Sequence, residues 1–244
     1  MKSPRAISIV FLKDDLVVQS ELFEKYYPIG SLKNSIEYLV KWKIDEIIIL
    51  NISNSPINHK LLRDSLRFCN LPVCYGGNIT SLKDVNSLLS IGIDKISFNK
   101  LLIHNPEKVA AFSKSFGQQF IVGSIDILRK NNAYYIFDHL KKDILHTDPI
   151  KRIQEFEKIG IGEFLINFIN NDGLKTDLNI EFSKKIQKST SVPVIICGGA
   201  YNIKKISTFS KKTGCTPAIG NLLNHFENPV KLIKEQLLTT FNEI

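Results

Sequence analysis

The chain has few cysteines, and none is spaced for redox or metal work. Cys69, Cys74, Cys197 and Cys215 are the four among 244 residues, with no Cys-x-x-Cys pair, so small buried thiols are expected. His139 and His146 have no spacing that suggests a metal site or a triad. No apolar stretch follows Met1-Lys2-Ser3-Pro4-Arg5, which argues against a signal peptide, and no later run is long enough to cross a bilayer. No linker or low-complexity segment divides the chain, so one domain over residues 1–244 is expected. The net charge of +8 lacks the aromatic-interleaved basic stripe of a nucleic-acid binder. Its lysines are scattered, as in Lys184-Lys185 and Lys211-Lys212, a pattern that suits solvated helix faces. These absences point to a cytoplasmic protein with no metal, cofactor, membrane or nucleic acid.

What is present is alternation. With 43% hydrophobic and 23% charged residues the chain can bury a full core. Apolar runs at 6–12, 46–52, 72–75, 95–98, 120–126, 163–168, 192–197 and 217–219 read as strands. Helical patterns at 32–41, 82–89, 106–115, 149–158 and 229–240 lie between them, with Pro106, Pro149 and Pro229 suited to a first turn. Eight continuous apolar strands with helical crossovers predict a parallel sheet buried on both faces, closed as a (β/α)8 barrel, with an open doubly wound sheet as the alternative. The chain also repeats itself. "KIDEIIIL" resembles "GIGEFLIN", placing Glu46 and Glu163 117 residues apart; "PVCYGGN" resembles "PVIICGGA", and "FNKLLIHNP" resembles "GNLLNHFENP". Taking Gly76 with Gly198 and Asn99 with Asn221 gives a spacing of 122 for both. Two repeated half-barrels are therefore expected.

In a barrel, the residues where strands emerge line the active site. Gly76-Gly77 and Gly198-Gly199 each follow an apolar strand and precede a helix, where the backbone can approach an anion. With Asn99 on one side and Gly220-Asn221 on the other, they form two candidate phosphate sites across one mouth, suited to a phosphorylated small molecule; equally, a Gly-Gly pair can simply turn the chain. Asp172-Gly173 is a turn signal whose carboxylate could bind a ligand or close an Asx-turn. Asp126, in "GSIDILRK", ends an apolar strand and is the candidate general acid or base, or else an acceptor for the connection that follows. At the far end of the first strand stands Phe11, which has no proton to give or take.

These motifs together, "RAISI", "IDEIIILNIS", "PVCYGG", "DKISFN", "SIDILRK", "GIGEFLIN", "NDG" and "VPVIICGGA", resemble in order the cyclase subunit of imidazole glycerol phosphate synthase. The resemblance implies a twofold-repeated barrel that binds a bisphosphorylated substrate and receives ammonia from a glutaminase docked at its N-terminal face. It implies two catalytic aspartates, of which Asp126 is kept and the first is replaced by Phe11. Asn78, Lys100, Leu222 and Asn51 also depart from the family pattern. The resemblance further implies that Arg5, Glu46, Lys95 and Glu163 ring the ammonia entrance. A paralogous group associated with amidation of sugars in surface polysaccharide likewise carries an apolar residue for the first aspartate, and the chain resembles that group best. The expectation is an ammonia-conducting barrel of a glutamine-dependent amidotransferase system, in contact with a glutaminase and a sugar-amidating enzyme. The alternatives are a true histidine-pathway cyclase and a non-catalytic scaffold that activates a glutaminase.

Overall fold

The computed structural model describes residues 5–242. In chain order the strands are β1 (Ile7–Lys13), β2 (Leu16–Glu21), β3 (Lys25–Ser31), β4 (Glu46–Asn51), β5 (Val73–Gly76), β6 (Lys95–Phe98), β7 (Ile121–Lys130), β8 (Ala133–Asp138), β9 (Asp143–Leu145), β10 (Glu163–Phe168), β11 (Val194–Cys197) and β12 (Thr216–Ile219). The helices are α1 (Leu32–Lys41), α2 (His59–Leu66), α3 (Leu82–Ile91), α4 (Lys100–His104), α5 (Pro106–Phe116), α6 (Pro149–Lys158), α7 (Ile180–Ser189), α8 (Ile203–Thr213) and α9 (Pro229–Asn242). Parallel pairing runs β1-β4-β5-β6-β7-β10-β11-β12 and closes where Ile7 pairs with Ala218. The molecule is a (β/α)8 barrel, not an open sheet.

Local chemistry explains the boundaries. Ser31 caps α1 by accepting from the Asn34 amide, and Ser81 with Asp84 forms a capping box on α3. Pro106 and Pro149 occupy the first turns of α5 and α6, where no amide donor is needed. Helix α1, helix α6, β6 and β10 occupy the spans the periodicity predicts. Helices α2, α4, α7 and α8 lie outside the helical spans named from periodicity; burial of Leu62, Leu102, Ile186 and Ile206 holds them against the barrel.

Two hairpins stand outside the expected eight strands. Lys13 pairs with Leu16 around Asp14-Asp15, and Lys130 pairs with Ala133 around Asn131-Asn132. All four turn residues have positive φ, which matches a tight type I′ hairpin, and Asp and Asn tolerate it. The hairpins β1–β2–β3 and β7–β8–β9 stand on the first and fifth barrel strands, so the twofold repeat extends to them.

The repeat is real, but one register needs correction. Strands β5 and β11 end at Gly76 and Cys197, so Gly77 matches Gly198 and Asn78 matches Gly199, 121 residues apart. Asn99 likewise matches Gly220: both precede a helical turn, with φ/ψ of −113/−78° and −106/−104°. The spacing of 122 arose from aligning chemically alike residues, whereas the backbone follows strand ends. Among the described residues no helix is long and apolar enough to cross a membrane.

Candidate functional site

Seen along the barrel axis, the interior has three zones. At the N-terminal end, β4, β6 and β10 begin with Glu46, Lys95 and Glu163, and Arg5 lies two residues before β1. These four close a ring of alternating charge. Arg5 donates to Glu46 Oε2 at 2.7 Å and to Glu163 Oε1 at 2.5 Å; Lys95 Nζ donates to Glu46 Oε1 and Glu163 Oε2, both at 2.8 Å. Both carboxylates are buried, while the two cations keep partial contact with solvent. Burial acts to lower the pKa values of Arg5 and Lys95, but the charges and hydrogen bonds of Glu163 and Glu46 outweigh it, so both are raised.

Above the ring the interior is apolar. Ile7, Ile9, Ile48, Cys74, Val122, Leu165, Ile195, Cys197 and Ala218 form an inner cluster separate from the strand–helix core. Burial pushes the Cys74 and Cys197 thiols well up, so both stay uncharged. A neutral small molecule suits this zone, whereas an ion would lose its hydration there.

At the C-terminal end the two half-barrels differ. Phe11 lies beside Leu50, and Asp126 lies beside Asn167 at the equivalent place in the second half. Phe11 is buried edge-to-face on Phe23, with ring centres 5.2 Å apart. Asp126 is also buried but is fully engaged: Asn167 Nδ2 donates at 2.6 Å, Asn99 Nδ2 at 3.0 Å, and His139 Nε2 lies 2.7 Å from Oδ2. The mouth holds two cavities. The first, about 490 Å³, includes Gly76, Gly77, Asn99, Lys100, Asp126 and His139 in its lining. The second, about 690 Å³, includes Asp172, Gly173, Gly198, Gly199, Gly220, Asn221 and Phe11. The candidate phosphate residues therefore fall into two groups, one per half, as the repeat requires.

Several of these residues already have structural work. A Cβ on Gly77 would stand 2.2 Å from the Asn51 carbonyl, and one on Gly198 would stand 2.5 Å from that of Phe168. Both glycines are thus required by the close approach of a neighbouring strand end, whatever else they bind. The Asp172 carboxylate accepts from Ser20 Oγ at 2.5 Å and from the Phe23 amide at 3.1 Å, and Asn221 Nδ2 donates to the Ser20 carbonyl at 2.9 Å. They anchor the tip of the β2–β3 hairpin, whose Phe23 lines the first cavity. Burial pushes the Asp172 carboxyl up despite these two hydrogen bonds. Asn78 donates to the carbonyls of Ser53 and Ser55, while Asn51 donates to the Tyr75 hydroxyl of β5 and accepts from the Ser53 amide, so both hold the loop after β4. The sequence offered no signal for His139 as a site residue, because the β8–β9 turn alone brings it back over Asp126.

Comparison with known proteins adds the family context. Residues 6–227 match the model of the histidine biosynthesis protein family. A Vibrio vulnificus protein provisionally named imidazole glycerol phosphate synthase subunit hisF2 is 31% identical, covering 96% of this chain and 88% of its own. A Campylobacter jejuni protein with the same provisional name is 32% identical over 82% of this chain and 81% of its own. A Sulfolobus acidocaldarius protein, named imidazole glycerol phosphate synthase subunit HisF, is 33% identical over 83% of each chain.

Proposed function

The chain belongs to the histidine biosynthesis protein family, and on that premise we propose that it is the ammonia-conducting barrel of a glutamine-dependent amidotransferase system. A glutaminase docks at the N-terminal face, ammonia enters past Arg5, Glu46, Lys95 and Glu163, crosses the apolar interior and reaches an acceptor at the mouth. The acceptor is a sugar precursor of surface polysaccharide, held through phosphate near Gly76, Gly77 and Asn99 or Gly198, Gly199 and Gly220, with a sugar-amidating enzyme as a further partner. Asp126 is the centre of the chemistry at the mouth.

The observation that carries this reading is the closed four-charge ring beneath an uncharged interior. Such a ring is a poor stabilising device, because burying charged partners costs solvation that well-packed apolar residues would not lose. A gate that passes a small neutral molecule gives it a reason. Opening one side should uncouple the two reactions. In a complex with the glutaminase, Lys95→Ala is expected to lower the ratio of nitrogen in the amidated product to glutamine hydrolysed, followed with amide-labelled glutamine. An unchanged ratio, or no glutaminase binding by the wild-type chain, would refute the conduit.

The relatives named as imidazole glycerol phosphate synthase subunits favour a second reading, in which the barrel closes the imidazole ring itself. Phe11 weighs against it, because a phenyl ring cannot share acid/base duty with Asp126.

A further inference from the structure

The mouth contains an imidazole that ammonia delivery alone does not use. His139 sits in the turn between β8 and β9, with about a third of its side chain (32%) exposed toward the first cavity. Its partner Asp126 already accepts from Asn99 and Asn167 and is 5% exposed, so little of the carboxylate remains to meet a ligand. A carboxylate only accepts, so Nε2 of His139 carries the proton of that 2.7 Å bond. The neutral ring then presents the Nδ1 lone pair, for which no hydrogen-bond partner exists among the described residues. Two further polar atoms of the same cavity, Ser97 Oγ and Asn167 Oδ1, are buried without a hydrogen-bond partner. Buried polar groups are rarely left so, and their presence in a cavity wall marks where a ligand's donors would rest.

We propose that His139 is the residue that exchanges a proton with the molecule occupying this cavity, and that Asp126 is a positioning residue that sets its tautomer and orientation. The inference rests on reading this mouth as the acceptor's site, and it names the bearer of the acid/base role there. The arrangement follows the orienter–base logic of catalytic triads. The ligand is a small molecule with hydroxyl or amino donors for Ser97 and Asn167 and an anionic group within reach of Lys100.

The charges around the ring set its titration. The hydrogen bond to Asp126 is the largest cause and raises its pKa; burial opposes it, the Asp126 charge and Asp138 on β8 add to the rise, and Lys100 on α4 lowers it. His104 on α4 and Tyr26 on β3 also line the cavity. The net direction is upward, so the imidazolium persists to higher pH than in a free histidine, whose pKa is about 6.5.

The first test needs only the barrel. Nitrogen-15 NMR of the imidazoles from pH 5 to 9, with His139 identified by the signal missing in His139→Gln, should show a neutral form protonated at Nε2 and a pKa above the ordinary value. Asp126→Asn should bring that pKa down. A neutral form protonated at Nδ1, or a pKa that Asp126→Asn leaves in place, would overturn the pairing. The second test uses the complex with glutaminase and acceptor. His139→Gln should lower kcat for amidation on the order of 10²-fold with a smaller effect on KM, and remove one limb of the pH profile; Asp126→Asn should shift that limb to lower pH. Full turnover with the limb intact in His139→Gln would overturn the proposal. A wild-type complex that passes no nitrogen refutes the conduit instead, and the titration then decides the His139 inference.

Discussion

Phe11 shows how one substitution divides a site. Its counterpart in the repeat is Asp126, and the two differ in every neighbour that matters: Phe11 packs on Phe23 within the apolar cluster, while Asp126 collects Asn99, Asn167 and His139. A carboxylate cannot simply be restored there. Phe11→Asp would bury a charge with no donor prepared for it and leave a hole beside Phe23, at a cost of about 3 kcal/mol or more. For a chain this size that corresponds to a fall in Tm of roughly 6 °C or more, measurable by calorimetry. A melt unchanged from wild type would mean that the mouth relaxes to hydrate the new group. The missing proton carrier at position 11 was plain from the sequence. His139 was not, since the bond between residues 126 and 139 depends on where a hairpin returns.

The β2–β3 hairpin is the element that most shapes the mouth. The pairing of β2 with β1 across the I′ turn at Asp14-Asp15 sets its direction, but its tip is tied by Asp172, whose backbone carbonyl also accepts from the Leu22 amide at 3.0 Å. Asp172→Ala removes the acceptor of both Ser20 Oγ and the Phe23 amide. The loss is about 1–2 kcal/mol, so hydrogen exchange at the Phe23 amide should accelerate by roughly tenfold, read by mass spectrometry on peptides spanning residues 18–27. Unaltered protection there would mean that strand pairing alone holds the tip. Periodicity located the long amphipathic helices α1 and α6 correctly because one face of each carries its apolar residues. It missed the hairpins because Asp14-Asp15 and Asn131-Asn132 look like any polar turn until both residues are seen with positive φ.

Across the whole molecule the two ends of the barrel differ in kind. At the N-terminal end four charges close a ring, while at the C-terminal mouth Phe11 stands where the resemblance implies a carboxylate, Asn51 at the end of β4 donates to the Tyr75 hydroxyl, and Asn78 after β5 donates to two backbone carbonyls. Such a molecule is expected to deliver nitrogen without closing an imidazole ring. Expression of this chain in a strain lacking the cyclase should therefore give no growth without histidine. Growth would establish the ring-closing reading.

The sequence by itself determined the architecture, because eight apolar runs joined by amphipathic crossovers have few ways to bury both faces of a sheet, and an internal repeat closes them as two halves. It also determined which end bears charge, since Glu46, Lys95 and Glu163 each open a strand. Only the tertiary structure decided the partnerships. Closure brings Arg5 between Glu46 and Glu163, residues 41 and 158 positions away. It spends Asp172 and Asn221 on the hairpin tip, and it lays His139 against Asp126. Such contacts follow from barrel closure and from hairpins folding back over the mouth, distances in space that no spacing along the chain encodes.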